Sequence, residues 1–375
     1  MPDDDGGREN GHRREGAGVR VGAWARGAAL IVAVCLAACG QSPPAPSTPS
    51  TPPPAERPDP PPVPGDRVRV SSAAELQAAL RELRSDRTIE LAAGTYVVPG
   101  EAFFVPESIA RVAIVGASGS PADVVIRGGR FGFWVNDVHG FQVRDLTIEG
   151  ASDHGVILNC RAQAPVIHHV VLRDIGDQFV KANPGPDGCG VNDGVVEDSL
   201  FEYTDAAPDS YTNGVDVHFG RGWVIRRNTF RNFRVADGSL AGPAILTWNG
   251  SADTIVEANT FVDNAREVAF GLGPGKTAEA PVSNGALTDH RGGSIVRNTM
   301  TRRPGLRGTD VAILVADSPG TRVEQNTVTL AGTYANAIEY RFPRTTGVEI
   351  VGNDVDGRIL GRDGATATLN GNTVR

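Results

Sequence analysis

The sequence predicts an all-β solenoid, a fold in which short strands repeat along one axis, and two observations predict it. First, the stretch from Asp177 to Asn249 contains the segments GDQFVKAN, TNGVDVHFGRGWVIRRNTF and GPAILTWN, which alternate apolar and polar residues and are followed by turn residues. That pattern is typical of short β-strands. Second, similar strand ends recur about every 30 residues, and self-similarity at such a period marks a solenoid.

The recurring position is the turn after the second strand of each repeat. Asn suits such a bend because its short amide tolerates left-handed backbone and bonds to nearby backbone groups. Stacked Asn side chains also hydrogen-bond along an axis, so we interpret these residues as structural. For the same reason we favour a turn role over metal ligation for His168 and His169. The predicted turn positions are Asp145, His169, Asp198, Asn228, Asn259, Asn298, Asn326, Asn353 and Asn372.

The N-terminus has the pattern of an export signal. An apolar run of eleven residues, Ala28 to Ala38, follows Arg20 and Arg26, and it is too short for a membrane-spanning helix. It ends in Leu-Ala-Ala-Cys, which resembles the lipobox of bacterial lipoproteins. The resemblance implies that residues 1–38 are a signal peptide and that Cys39 is lipidated, which anchors the protein in the bacterial cell envelope. The alternative is an ordinary signal peptide that happens to contain a Cys.

Composition divides the rest of the chain. Residues 39–65 are the lipidated Cys and a segment of mostly Pro, Ser, Thr and Ala, which buries no core and forms an extended, disordered linker. Residues 66–375 are long enough for one large domain. The formal net charge is −8 and there is no basic stripe, so we do not expect nucleic acid as a partner. We expect a monomer.

The domain opens with a helix and a strand. Ser72 and Glu75 form a capping box before LQAALRELR, and Ala74, Leu76, Leu80 and Leu83 provide an apolar helical stripe. The strand TIELAAGTY follows. A capping helix before such a strand resembles the entrance to a right-handed parallel β-helix of the pectin-lyase-like superfamily. The resemblance implies that fold for residues 66–375, with the short N-terminal helix plugging the first coil.

Stacking the strands in register aligns their outward side chains in columns. We predict one column with Lys181, Asp216 and Thr247, and a second with Asn183, His218 and Asn249 beside it. Neighbouring rungs of a parallel sheet are roughly 4.8 Å apart, so these groups would share one patch. The three insertions that interrupt the period project as loops, and two of them flank this patch. The insertions are Pro184–Asp193, Thr204–Thr212 and Gly273–Arg291.

The resemblance also implies carbohydrate-active chemistry on the outward face of one sheet. We predict a polysaccharide lyase for uronate-containing glycans, because removal of a weakly acidic C5 proton needs a base within about 3 Å and stabilisation of the developing charge. Lys181 is the preferred base, and His218 is the alternative base or the acid. Asp216 completes the catalytic set. The predicted substrate-binding residues are Asn159, Asp177, Asn183, Arg221, Thr247 and Asn249.

Several alternatives stay open. Asp177 and Asp216 are candidate Ca²⁺ ligands, since Ca²⁺ prefers oxygen, and no cofactor is otherwise predicted. The same two carboxyl groups would suit a glycoside hydrolase, although the Asp-rich and Gly-His-Gly motifs of polygalacturonases are missing. A C5-epimerase and a non-catalytic glycan-binding surface lipoprotein remain as well. Cys160 and Cys189 would pair in an oxidising envelope, or else remain two buried thiols.

Overall fold

A computed structural model describes residues 61–185, 188–273 and 288–375. The predicted signal peptide, Cys39 and most of the linker lie outside these residues, as does most of the predicted insertion Gly273–Arg291. No helix in these ranges is long and apolar enough to cross a membrane. The described chain is a stack of β-strands with one α-helix, Ala73–Arg81, and one 3₁₀ turn, Pro121–Asp123.

The strands form three long parallel sheets, A, B and C, and a short pair, Ser251–Ala252 with His290–Arg291. Sheet A contains Asp66–Val70, Arg87–Leu91, Ile109–Gly116, Val138–Arg144, Val166–His168, Val195–Glu197, Val224–Arg226, Ile255–Glu257, Ser294–Val296, Arg322–Glu324, Val348–Val351 and Ala367–Asn370. Sheet B contains Gly94–Val97, Val124–Arg127, Thr147–Glu149, Val171–Arg173, Leu200–Glu202, Thr229–Arg231, Thr260–Val262, Thr299–Thr301, Thr327–Thr329, Asp354–Val355 and Thr373–Val374. Sheet C contains Phe103–Phe104, Phe131–Val135, His154–Leu158, Gln178–Ala182, Asn213–His218, Ile245–Trp248, Val268–Phe270, Ile313–Ala316, Asn336–Arg341 and Arg358–Arg362.

The chain visits sheets A, B and C in turn, and each strand pairs in parallel with its equivalent one coil later. Inward residues of successive coils therefore stack directly. In sheet B the register brings Phe201, Phe230 and Phe261 into one column, with ring centroids 4.7 and 5.2 Å apart. Each such pair contributes about 0.5–1.5 kcal/mol beyond its burial. The predicted parallel β-helix is confirmed, and its interior is one continuous apolar core.

The helix Ala73–Arg81 covers the first coil as predicted. Its N-cap, Ser72, accepts a hydrogen bond from the backbone N–H of Glu75. Leu76 and Leu80 are buried in the core of the solenoid, and each stabilises it by about 1.5–3 kcal/mol. The prediction was wrong for Ala74, which is exposed. Without the helix, the apolar inward side chains of the first coil would meet water.

The recurring turn contains an asparagine ladder, defined by Asn228, Asn259, Asn298, Asn326, Asn353 and Asn372. Each side-chain Oδ1 after the first accepts from the backbone N–H and the Nδ2 of the preceding ladder residue, over 2.9–3.0 Å. The stacked amides are thus structural, as predicted.

The prediction was wrong about which residue bends. The left-handed backbone belongs to the residue before each Asn, for example Arg227 (φ 55°) and Ala258 (φ 53°). Asp145, His169 and Asp198 are the left-handed residues of the earlier coils, so the ladder position there falls one residue later. Ser199 occupies it and accepts from the backbone N–H of Val170. Asn is used for its buried hydrogen bonds, because a neighbour supplies the turn.

Candidate active site

Sheet C brings together the three predicted catalytic residues. Lys181 on Gln178–Ala182 pairs in register with Asp216 on Asn213–His218, and His218 lies two residues beyond Asp216 on the same strand. Alternate residues of a strand point to the same side, so all three side chains project outward from the core. Residues that are 35 and 37 positions apart in the sequence become neighbours because the backbone makes one full coil between them.

The three side chains form one hydrogen-bonded group, which we call the Lys181 cluster. Lys181 Nζ donates to Asp216 Oδ2 and lies 2.8 Å from His218 Nε2. The same His218 nitrogen is 3.3 Å from Asp216 Oδ2. The Lys181 and Asp216 side chains are only 8% and 3% exposed, whereas His218 is 16% exposed. His218 is therefore the member that a ligand reaches first.

The pKa of the Asp216 carboxyl is lowered in this cluster. Burial by itself raises this pKa, but the hydrogen bond and charge of His218, together with those of Lys181, outweigh it. Asp216 is consequently a carboxylate at neutral pH.

Trp248, which the sequence analysis did not single out, closes the cluster. Its Nε1 donates to Asp216 Oδ1 at 2.9 Å and lies 3.1 Å from His218 Nε2, and its ring centroid is 4.7 Å from that of His218. The register pairs His218 with Trp248. An indole N–H only donates, so His218 Nε2 is the acceptor. The available signal was an aromatic residue at the end of a strand whose neighbours carried the predicted site.

The predicted place of Thr247 was wrong. Asp216 pairs with Leu246, and Thr247 pairs with Val217, which belongs to the interior core. Thr247 is fully buried, so it does not bind a substrate on the outward face. A shift of one residue in register moves a side chain to the opposite face, and the loop before Ile245 hides that shift from the sequence.

Asn249 contacts the cluster from beyond the end of its strand. Its side-chain amide lies 2.8 Å from His218 Nδ1. The buried Asp289 holds the Asn249 backbone N–H at 2.8 Å and the Leu272 N–H at 2.8 Å. The Asn249 atom at this distance is Nδ2, while Lys181 Nζ and Trp248 Nε1 lie 2.8 and 3.1 Å from His218 Nε2. Groups that can donate therefore surround both ring nitrogens of His218.

Asn159 and Asn183 lie on the neighbouring rungs of the same face. Asn183 follows the strand of Lys181, and its Nδ2 donates to Asn159 Oδ1 at 3.3 Å. Cys160 and Cys189 form a disulfide with their Cα atoms 5.5 Å apart, which joins the turn after Asn159 to the loop that follows Asn183. A Cβ at Gly185 would lie 2.6 Å from Cys160 Sγ, so the loop packs tightly on the disulfide.

Arg221 is not brought into the cluster. It is the exposed residue of the turn between Asn213–His218 and Val224–Arg226, and its backbone N–H donates to Asn192 Oδ1 at 3.0 Å. Within the described ranges, no hydrogen bond or ion pair connects its side chain with Lys181, Asp216 or His218. A substrate-binding role for Arg221 would thus require a ligand that extends around the turn.

Two further titratable groups lie on the N-terminal side of the cluster. His154, one coil before Gln178, accepts from the Gln178 backbone N–H at 3.3 Å, and burial followed by the charge of Lys181 lowers its pKa to about 4. His154 is therefore neutral at pH 7. Burial, with the charges of Asp153 and Asp209, raises the pKa of Asp177 to about 6. Sequence reasoning set His154 aside, because Asp153-His154-Gly155 is only a fragment of the Gly-His-Gly motif of polygalacturonases.

Asp216 does not fit a calcium site. Its Oδ2 is bound by Lys181 and His218 and its Oδ1 by Trp248, so a cation would have to displace an ammonium group.

In the described part of the chain, one group has metal-ligand spacing: His168, Glu197 and Asp198. Arg226 and Arg227 already bind the Glu197 and Asp198 oxygens at 2.7–3.0 Å, and two guanidinium groups oppose a cation there.

No protein-family model matches the sequence, and no curated protein matches it. Several solved structures are similar to it in fold. The chain is similar to PfbA, a surface adhesin of Streptococcus pneumoniae, with 12% identity and a TM-score of 0.56 over 80% of this chain and 86% of that one. It is similar to an alginate lyase from Paenibacillus sp. str. FPU-7, with 20% identity and a TM-score of 0.52 over 83% and 99%. It is also similar to a GH136 lacto-N-biosidase from Eubacterium ramulus, with 12% identity and a TM-score of 0.53 over 83% and 68%.

Identities this low show shared architecture, and architecture alone does not determine chemistry. The three parallel sheets and these likenesses agree on one fold. The chain is a right-handed parallel β-helix protein, the fold that its resemblance to the pectin-lyase-like superfamily implies.

Proposed function

We propose that this protein is a carbohydrate-active enzyme of the cell envelope, a polysaccharide lyase that cleaves uronate-containing glycans by β-elimination. The observation that carries the proposal is the Lys181 cluster, in which an amine and an imidazole meet 2.8 Å apart on an outward sheet face. Elimination in a uronate needs a base that accepts the C5 proton and a positive group beside the carboxylate attached to C5. The cluster supplies both.

We assign the base to His218. Its Nε2 lies 3.3 Å from Asp216 Oδ2, and that carboxylate stabilises the imidazolium that forms when the ring takes the C5 proton. The electron pair left by that proton becomes the C4–C5 double bond, and the bond from C4 to the glycosidic oxygen breaks.

Lys181 then serves as the cation rather than as the base. Its Nζ donates to Asp216 Oδ2, and as an ammonium group it neutralises the uronate carboxylate and donates a proton to the leaving oxygen. This assignment exchanges the two roles preferred from the sequence. Hydrolysis ranks lower, because in the described residues Asp216 is the only carboxylate that contacts Lys181 or His218, and a hydrolase needs two carboxyl groups.

The similar solved structures support this proposal only by analogy of fold. One of them is an alginate lyase, which agrees with elimination. PfbA is a surface adhesin, and this favours the second candidate, a non-catalytic glycan-binding lipoprotein. The low exposure of Lys181 also suits the second candidate, because a closed ion pair is not by itself a catalyst.

The test is incubation of the purified protein with a panel of uronate polysaccharides. A lyase produces unsaturated ends that absorb ultraviolet light, and a Lys181→Met variant with an unchanged circular dichroism spectrum should lose that signal. Reducing ends without absorbance would instead mean hydrolysis. Exchange of C5 hydrogen for solvent deuterium without chain cleavage would mean epimerisation, and retention of glycan without any reaction would favour the binder.

Envelope anchoring through Cys39 is part of the proposal. The Leu-Ala-Ala-Cys motif supports it, together with a Pro-rich linker that would hold the solenoid away from the membrane. Expression with labelled fatty acid should label the wild-type chain and leave Cys39→Ala unlabelled. Labelling of both would show that Cys39 is not the acceptor.

A further inference from the structure

Aromatic side chains continue the column of Lys181 toward the N-terminal end of sheet C. The register pairs Lys181 with Ile157, Ile157 with Trp134, and Trp134 with Phe104. Trp134 therefore lies two rungs from Lys181, a distance of about 10 Å. One outward row thus runs from two aromatic rings, across an aliphatic side chain, to the Lys181 cluster.

The rings of this row form an exposed platform. Phe104 is 56% exposed, and its ring centroid is 6.2 Å from that of Trp134, which is partly buried. Phe131 supports Trp134 edge-on at 5.1 Å, and the Arg130 guanidinium lies 4.9 Å from the centroid of Phe131. Phe104 and Trp134 are consequently the rings that present their surfaces to solvent.

Toward the C-terminal end of sheet C, the same row consists of buried aliphatic side chains. Beyond Asp216 the register continues through Leu246 and Leu314, which are only 3% and 5% exposed. Both belong to a separate packed apolar cluster on this side of the sheet. Among the described residues of this row, the aromatic side chains therefore lie on the N-terminal side of the Lys181 cluster.

We propose that Phe104 and Trp134 form a remote sugar-binding subsite, on which a pyranose ring of the glycan stacks about two sugar units from the residue held by Lys181. This rests on the proposed function, because the ligand is the same uronate chain. Rigid aromatic surface with a few polar groups is the usual composition of an organic ligand site. His154 stacks on Phe131 with ring centroids 5.5 Å apart, so the ring that supports Trp134 is itself held by a second ring.

The experiment compares the affinities of the wild-type chain, Trp134→Ala and Trp134→Phe for uronate disaccharides and hexasaccharides, measured by isothermal titration calorimetry. Trp134→Ala should weaken hexasaccharide binding by about tenfold, the size of a favourable aromatic contact, and leave disaccharide binding unchanged. Trp134→Phe should restore part of the loss. The control is Val97→Ala, a change at an exposed apolar residue (59%) on sheet B, which should change neither affinity.

Equal hexasaccharide affinity in wild type and Trp134→Ala would overturn the subsite and leave the lyase proposal standing. Length-dependent loss without any elimination product would support the subsite and overturn the lyase in favour of a binder. A wild-type chain that binds no uronate oligosaccharide would overturn both. Equal losses for the two oligosaccharide lengths would also overturn the subsite, because a remote platform acts only on chains that reach it.

Discussion

The asparagine ladder and the Lys181 cluster are both stacks of polar side chains along the same axis, and they differ in one respect. In the ladder every coil contributes the same residue, so each amide satisfies its neighbours and the column is closed. In the cluster successive coils contribute an amine, a carboxylate and an indole. Identical polar residues stabilise a solenoid, whereas different ones on successive rungs create a chemically varied surface.

The difference separates structure from function within one fold. A repeated residue produces a repeated interaction, and loss of one member leaves buried partners unpaired. Residues that break a local rule without an obvious structural gain are expected at functional sites. The predictions that follow test whether the two stacks can be damaged independently, beginning with the largest expected effect.

Replacement of the proposed base should abolish activity and leave the fold intact. In His218→Gln we expect elimination to fall by about 10²–10⁴-fold, the usual contribution of a general base, with a melting temperature close to that of the wild type. The control is His169→Gln, since His169 is an exposed turn residue paired with Asp145. Wild-type rates in His218→Gln would remove the cluster from the mechanism.

Replacement of a residue of the asparagine ladder should lower stability and leave the reaction rate unchanged. Asn298→Ala removes the acceptor for the Asn259 N–H and Nδ2 and the donor to Val256 O and Asn326 Oδ1. We expect a loss of about 3 kcal/mol in the free energy of unfolding, because buried partners lose their hydrogen bonds. Urea unfolding measures it. The exposed neighbour Thr299 provides the control, Thr299→Ala, with a loss of less than about 1 kcal/mol.

If Asn298→Ala lowered the free energy of unfolding by less than about 1 kcal/mol, the asparagine ladder would not be a major source of stability. The rate of the folded Asn298→Ala protein is the second measurement. It should equal that of the wild type, and a large fall in rate without unfolding would show that the two stacks are coupled.

Protonation of His154, on the N-terminal side of the Lys181 cluster, should contribute to the pH dependence of the free energy of unfolding. The pKa of His154 falls from 6.5 to about 4 on folding, so the unfolded chain binds its proton first as the pH decreases. The contribution of His154 to the free energy of unfolding is therefore fully present above pH 6.5 and is lost as the pH falls toward 4. Asp177, whose pKa is raised to about 6, changes stability in the opposite direction over the same range. The His154 contribution, about 2 kcal/mol after allowance for partial solvent screening, is therefore measured as the difference between the wild type and His154→Gln in urea unfolding across this range.

His154→Gln should flatten that pH dependence, and His139→Gln, a change at an exposed histidine, should not. A remaining slope is expected from the buried His290, whose pKa burial lowers to about 3. An unchanged slope in His154→Gln would mean that His154 is protonated as easily in the folded protein as in the unfolded one.

The smallest expected change in stability concerns the ion pair itself. The double variant Lys181→Met/Asp216→Leu should match the stability of the wild type within about 1 kcal/mol, because apolar pairs often replace buried ion pairs without cost. The same protein should form no elimination product. Lys181→Met alone should lose about 3 kcal/mol, since it leaves a buried carboxylate without its ammonium partner. A double variant as unstable as the single one would make the pair structural.

Much of the site could be anticipated because its strands are regular. Lys181, Asp216 and His218 were placed on one face from the alternation of GDQFVKAN and TNGVDVHF, since side chains of a strand alternate with a period of two. Thr247 was misplaced and Trp248 overlooked for a single reason. The loop between Arg231 and Ile245 has no repeat of its own, so its length does not reveal whether Leu246 or Thr247 comes opposite Asp216.

The amino-acid sequence by itself determined the solenoid, its capping helix and the stacked asparagines, because each depends on local pattern or on repetition. Only the tertiary structure decided register, and with it which residues meet: Trp248 over His218, His154 beside Gln178, Cys160 bonded to Cys189, and the aromatic row leading to Lys181. The physical reason is that a one-residue shift in a parallel sheet reverses every side chain of a strand. Irregular loops between coils set that shift, and their length carries no periodic signal.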